Sequence, residues 1–206
     1  MNEGIPKEVG HPSCVLTARK FQQLLVTERQ REILIGSILG DGYIYPKGKI
    51  QLEQSTAQKE YLFWKYEELK GLTYPAQPQL VNRFDLRTEK TYSSYRFWLR
   101  QYFRSWREIF YKGKTKVFPK KLILTPLMVA VWYMDDGSYS DNSCVISGES
   151  FSKHSLKIAQ KQLWDQFQVR TIIRSNGKLL IRAKDQKRFG KIIKPWMHPS
   201  MQYKIP

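Results

Sequence analysis

Apolar residues recur at helical spacing in two stretches of this chain that begin and end alike. The first opens with Thr27 and Gln30, runs through LIGSILG and stops at Asp41-Gly42. The second opens with Thr125-Pro126, runs through VAVWYMD and stops at Asp136-Gly137. Threonine with glutamine three residues on is a capping box, and threonine before a proline at the first helical position is an equally plain start signal. Gly42 and Gly137 are expected to take the left-handed conformation that ends a helix. Asp41 and Asp136 then occupy equivalent helix ends, where the macrodipole is negative and favours a neighbouring cation.

One apolar helix closed by Asp-Gly is an ordinary way to turn a chain, but here the pattern after each copy repeats as well. After the first, Ile44, Ile50 and Leu52 alternate with Tyr45, Lys47, Lys49, Gln51 and Glu53 around a Pro46-Lys47-Gly48 turn, predicting a hairpin with one packed and one wet face. A helix follows over 56–70. A second hairpin alternates Phe84 and Leu86 with Arg83, Asp85 and Arg87, and returns with Tyr95, Phe97 and Leu99 against Arg96 and Trp98. A last helix is expected over 101–111.

After the second copy come strands containing Ser138, Tyr139 and Ser140 and then Cys144 to Ser147, a helix over 151–167, and a hairpin turned at Asn176-Gly177. That hairpin shares Arg170, Arg174, Lys178 and Arg182 over its polar face, opposite Leu179 and Ile181. A helix over 184–194 and the tail WMHPSMQYKIP complete the unit. The chain divides into a lead-in over 1–26, whose residues 17–26 favour a short helix, a first half over 27–111, a lysine-rich connector over 112–124, and a second half over 125–206.

Charge decides the class of partner. With 35 Lys and Arg against 18 Asp and Glu in 206 residues, the formal charge is +17 and the pI near 9.9. Such an excess points to a polyanion, and no apolar run of transmembrane length points to a bilayer. Cys14 and Cys144 lack a CxxC spacing, and with His11, His154 and His198 they make no zinc pattern. No signal segment is evident, so an intracellular setting is expected, an organelle or a bacterial cytoplasm.

The pair LIGSILGDG and WYMDDG resembles the two LAGLIDADG motifs of a single-chain homing endonuclease. FPKKLILTPLMVAVWYMDDG and the terminal MQYKIP are similar to the branch that contains the omega intron endonuclease. The resemblance covers roughly residues 28 to 206. One departure is visible: Gly36 and Gly40 of the first motif are matched by Val131 and Asp135 in the second.

The resemblance implies an α+β fold of pseudo-twofold, duplicated helix-hairpin-helix-hairpin-helix units, with two curved antiparallel sheets forming a DNA-binding saddle and the motif helices at its centre. It implies a monomer that cuts long, non-palindromic double-stranded DNA and leaves 3′ overhangs. It also implies that Lys116, three residues before Pro119, and Lys204 in the YKIP tail reach the active site.

Two helices meeting along small residues bring Asp41 and Asp136 together, and carboxylates at such range repel unless they share a divalent cation. Oxygen ligands suit Mg²⁺, with Mn²⁺ as a substitute. Tyr45, Lys47, Lys49, Gln51, Arg83, Asp85, Arg87, Arg96, Ser138, Ser140, Arg170, Arg174, Lys178 and Arg182 are then the candidates for DNA contact. Two other readings share the scaffold: an intron-splicing maturase that binds RNA without cutting, and a DNA-binding regulator. The regulator gives no reason to gather two carboxylates at helix ends.

Overall fold

A computed structural model describes residues 25–206. The short helix expected over 17–26 lies almost wholly outside that range, as do Cys14 and His11.

The first motif forms α1, Glu28–Leu39, with the expected reciprocal cap between Thr27 and Gln30. The second forms α4, Pro126–Asp136, capped by the Thr125 hydroxyl accepting from the Met128 N–H. Every residue of α4 from Leu127 to Asp135 is buried, as an all-round apolar helix must be when other elements enclose it. It packs along α1 at the centre of the molecule.

Around this pair the two halves repeat one topology. Strands β1 (Tyr43–Ile44), β2 (Ile50–Ser55), β3 (Gln79–Asp85) and β4 (Lys90–Trp98) form an antiparallel sheet in the order β1-β2-β4-β3. Two further strands, β5 (Tyr111–Lys112) and β6 (Thr115–Lys116), pair with each other. Strands β7 (Gly137–Ser140), β8 (Ser143–Ile146), β9 (Thr171–Ile173) and β10 (Leu179–Ile181) then form a second sheet in the order β7-β8-β10-β9. Helix α2 (Lys59–Leu69) packs on β2 and β4, and α5 (Lys153–Phe167) packs on β9. Helix α3 (Arg104–Phe110) precedes β5, and α6 (Ala183–Ile193) packs against α4. The fold is the duplicated α+β arrangement with two antiparallel sheets.

Two expectations are corrected. Neither Gly42 nor Gly137 is left-handed: among the described residues the glycines with positive φ are Gly48, Gly113 and Gly177, all in hairpin turns. The motif glycines are needed for room instead. A Cβ on Gly42 would lie 2.6 Å from the Ser37 carbonyl oxygen, and one on Gly137 would lie 2.3 Å from that of Tyr133.

The connector folds in part: Tyr111 to Lys116 form the β5-β6 hairpin, turned at Gly113 with φ +64°, while Lys112, Lys114, Lys120 and Lys121 are exposed. Arg107 fastens that hairpin: its guanidinium donates to the carbonyls of Ile44 and Gly113 and lies over the Tyr111 ring. Finally, the apolar side of the second hairpin is covered only in part, since Phe97 and Leu99 are buried. Phe84 and Leu86, near the hairpin's tip, are 60% and 85% exposed.

Candidate active site

The close crossing of α1 and α4 sets the site. A Cβ on Gly36 would come within 2.6 Å of the Met128 carbonyl oxygen and 2.7 Å of the Val131 Cβ, and a Cβ on Gly40 within 2.5 Å of the Asp135 Cβ. Small residues on one helix thus face larger ones on the other. The departure of the second motif from glycine is what the first motif accommodates, and one small residue per level is enough for backbones to approach.

This crossing brings the two helix ends together. Asp41 and Asp136 line one open cleft of about 270 Å³ with Gly40, Lys116, Ser147, Glu149 and Ser150. Asp41 is exposed and Asp136 half-buried. Burial, then the charges of Asp41 and Asp135, push the Asp136 carboxyl well above the usual carboxylate range, against the pull of Lys116 and Lys204.

The cations expected at the helix ends are there, one at each. The Lys116 ammonium donates to the Gly40 carbonyl at the end of α1. The Lys204 ammonium donates to the Met134 carbonyl at 2.7 Å and lies 3.5 Å from that of Asp135, at the end of α4. Gly40 and Asp135 are matching positions in the two motifs, so the lysines repeat each other about the pseudo-twofold. Burial lowers both ammonium pKa values while the cluster of motif aspartates raises them. Lys204 is buried and its tail is held in place: the Tyr133 hydroxyl donates to the Lys204 carbonyl at 2.7 Å.

Sequence reasoning passed over three residues here. Gln54 is buried at the end of β2, and its amide donates to Asp41 Oδ2 at 2.8 Å and Asp135 Oδ1 at 3.1 Å. Lys65, on α2, donates to the same Asp135 oxygen at 2.5 Å with both side chains essentially excluded from solvent. The sequence did carry a signal for each. Gln54 falls in phase with buried Ile50 and Leu52, and Lys65 in phase with buried Tyr61, Leu62 and Leu69, so each puts a polar group on an apolar face. Asp135 stands in the sequence only as a departure from the small residues of the first motif, and its partners come from the other half.

The expected DNA-contact residues fall in two settings. In the first sheet, Gln51, Glu53, Arg83, Arg96 and Trp98 share the face opposite buried Leu52 and Phe97. They are interlocked: Glu53 bridges Arg83 at 2.7 Å and lies 3.7 Å from Arg96. Tyr45 and Trp98 both donate to Gln51 Oε1, and the Lys49 ammonium sits 4.6 Å from the Trp98 ring centre. Burial raises the Glu53 carboxyl, but hydrogen bonds from Arg83 and Ser94 and the arginine charges win and hold it below its ordinary range. Lys47 and Arg87 are exposed in the turns, and Asp85 accepts from the Arg87 N–H at 2.8 Å.

In the second sheet, Ser138, Ser140 and Arg174 are exposed, and Lys178 lies 3.8 Å from Glu149. Arg170 and Arg182 are set apart from these. They line a hollow of about 320 Å³ against α5 with Lys157, Lys161 and Trp164, and Arg170 holds Asp185 through two bonds of 2.7 and 2.9 Å.

Among the described residues no three His, Cys, Asp or Glu side chains gather as a metal cage. The oxygen pair at the cleft still suits a divalent cation of the magnesium type, which takes one or two carboxylates and completes its shell with water and substrate phosphate. Burial and the neighbouring Asp41 and Asp135 charges raise Asp136, and such an ion would offset both.

Comparison with known proteins agrees with this fold. The homing endonuclease I-WcaI, solved bound to its DNA recognition sequence, superposes with a TM-score of 0.77 at 23% identity over 87% of each chain, which shows a shared fold. DNA endonuclease I-ChuI of Chlamydomonas applanata is 27% identical over 87% of this chain and 95% of its own length. Cytochrome b mRNA maturase bI2 of Saccharomyces cerevisiae is 27% identical over 84% of this chain, which spans only 46% of that protein. The model of the LAGLIDADG DNA endonuclease family matches residues 31–189, taking in most of α1, all of α4 and both four-stranded sheets, and the chain belongs to that family.

Proposed function

We propose that this protein is a site-specific DNA endonuclease that cuts both strands of a long, non-palindromic duplex across the minor groove by Mg²⁺-dependent phosphodiester hydrolysis, leaving 3′ overhangs. The observation that carries the reading is the single cleft shared by Asp41, Asp136 and Lys116 at the ends of two crossing helices, with a sheet from each half flanking it.

Asp41 and Asp136 would hold the ion, which supplies a nucleophilic water and neutralises charge on the phosphate. Hydrolysis would form one P–O bond from water, whose proton passes to solvent, and break one P–O ester bond, whose departing oxygen takes a proton from solvent. Lys116 and Lys204 face that chemistry from the two helix ends. Held there by helix carbonyls, they stabilise developing charge without reorganising. The minor groove is about 6 Å wide, so carboxylates meeting at one point can serve one phosphate on each strand.

The two sheet faces would lie along the major groove on either side. On the first, the Glu53 bridges hold Arg83 and Arg96 in fixed poses before DNA arrives, which lowers the entropy lost on binding. The unlike residues of the second face make a palindromic target unnecessary. One chain supplies both halves.

The test is incubation with a library of long duplexes, with and without Mg²⁺, followed by sequencing of the cut ends. Asp41→Asn and Asp136→Asn should each bind the selected duplex and fail to cut it. Undiminished cutting by either variant refutes the assignment. Binding of intron RNA much more tightly than any selected duplex would instead favour the maturase reading.

A further inference from the structure

The Asp41 carboxylate is tethered from beneath by groups that its own pseudo-symmetric partner lacks. Gln54 has two amide hydrogens, and both are committed, one to Asp41 Oδ2 and one to Asp135 Oδ1. With carboxylates on both sides, the amide nitrogen must face them, since the reverse orientation would set its carbonyl against two anions. Asp135 is in turn fixed by Lys65, whose ammonium also lies 4.5 Å from the Tyr61 ring centre. All three side chains are buried. The second motif thus supplies a carboxylate to the first half's β2 and α2. The matching position of the first motif is Gly40, which has nothing to offer in return.

We propose that Asp135 is a positioning residue whose acceptor oxygen acts through Gln54 to aim the Asp41 carboxylate, with Lys65 offsetting its buried charge, so that the two strand cuts depend unequally on this one buried acceptor. Lys65 pairs with the Asp135 carboxylate in the core. Asp135 keeps the Gln54 amide from turning. Gln54 then presents a fixed donor to Asp41, leaving its other carboxylate oxygen toward the cleft. Asp136 has no such support among the described residues: it shares the cleft with Lys116 but no hydrogen bond fixes its orientation. The inference rests on the endonuclease reading for its strand-specific consequence, while the tether itself can be examined without metal or DNA.

Two double variants separate orientation from stability, because each removes both buried charges together and differs only in whether an acceptor remains. Lys65→Met with Asp135→Asn keeps an oxygen for Gln54; Lys65→Met with Asp135→Ala does not. Should the alanine version fail to fold, Asp135→Leu in the same background fills the volume without restoring the acceptor.

In the metal-free protein, side-chain amide exchange of Gln54 followed by NMR should stay within about twofold of wild type in the asparagine double and rise by about tenfold or more in the alanine double, at similar melting temperatures. On a supercoiled plasmid carrying the selected site, the asparagine double should cut both strands in balance, and the alanine double should accumulate a nick in one particular strand. Equal Gln54 exchange in the two doubles, or balanced cutting by the alanine double, overturns the proposal. If wild type cuts no duplex at all, the endonuclease reading fails and the exchange measurement still decides whether the tether exists.

Discussion

Replacing Lys204 with methionine separates a catalytic cation from a structural one, because the structure makes the stability terms oppose each other. Methionine has nearly the length of lysine and no charge. The change removes the ammonium bond to the Met134 carbonyl, 2.7 Å long, and a cation at the end of α4. A hydrogen bond involving a charged group is worth about 1.5–3 kcal/mol, and a partly buried cation at a helix C-terminus up to about 2 kcal/mol. Against these, an ammonium with 8% of its residue exposed no longer has to be held out of water, and that relief amounts to several kcal/mol. Apolar surroundings and the untouched Tyr133 bond to the residue 204 carbonyl keep the tail seated. Unfolding free energy should therefore move by no more than about 2 kcal/mol.

Catalysis has no such compensation. Losing one preorganised charge at a reacting phosphate costs about 10²–10³ in rate, equivalent to about 2.7–4 kcal/mol on the barrier. Since Lys204 serves one helix end and Lys116 the other, the loss should fall on one strand. Nicked circle should accumulate in a time course on supercoiled plasmid with strand-specific end labels, while urea unfolding stays close to wild type. Wild-type rates on both strands would return Lys204 to a purely structural cap. Equal slowing of both strands, in step with a fallen melting temperature, would refute the argument just as firmly.

Lys116→Met should give the opposite nick, read in the same assay. Gly36→Ala and Gly40→Ala should each destabilise the protein by about 1–3 kcal/mol in chemical denaturation, since the added Cβ forces the helices apart; an unchanged midpoint would contradict the close crossing. Asp136, raised by burial and by Asp41 and Asp135, keeps a proton in the folded state that the unfolded chain has lost. The metal-free protein should therefore lose stability as pH rises from the ordinary carboxylate range through the folded value. Asp136→Asn should flatten that slope in urea midpoints taken between about pH 5 and about pH 8, and parallel profiles would refute the shift.

The chain alone determined the local elements and their duplication, because those depend on signals only a few residues apart. Capping by Thr27 and Thr125, alternation around Leu52 and Phe97 and the turn at Gly177 are short-range chemistry, and a second Asp-Gly helix end marked the repeat. That much also placed Asp41 and Asp136 at equivalent helix ends and called for a cation beside each.

What the tertiary structure decided is which residues meet across long separations. Gly40 faces Asp135 because two helices distant in sequence cross there, and no local pattern states which of the residues flanking a motif lies on the axis. Gly42 and Gly137 matter for the space beside a carbonyl rather than for a left-handed turn, a distinction visible only once the next segment is folded against the helix. Lys65 and Gln54 look like isolated polar residues on apolar faces until Asp135 arrives from the other half to satisfy both. A buried charge is stable only with its partner, and that partner is chosen by the fold and not by the neighbouring sequence.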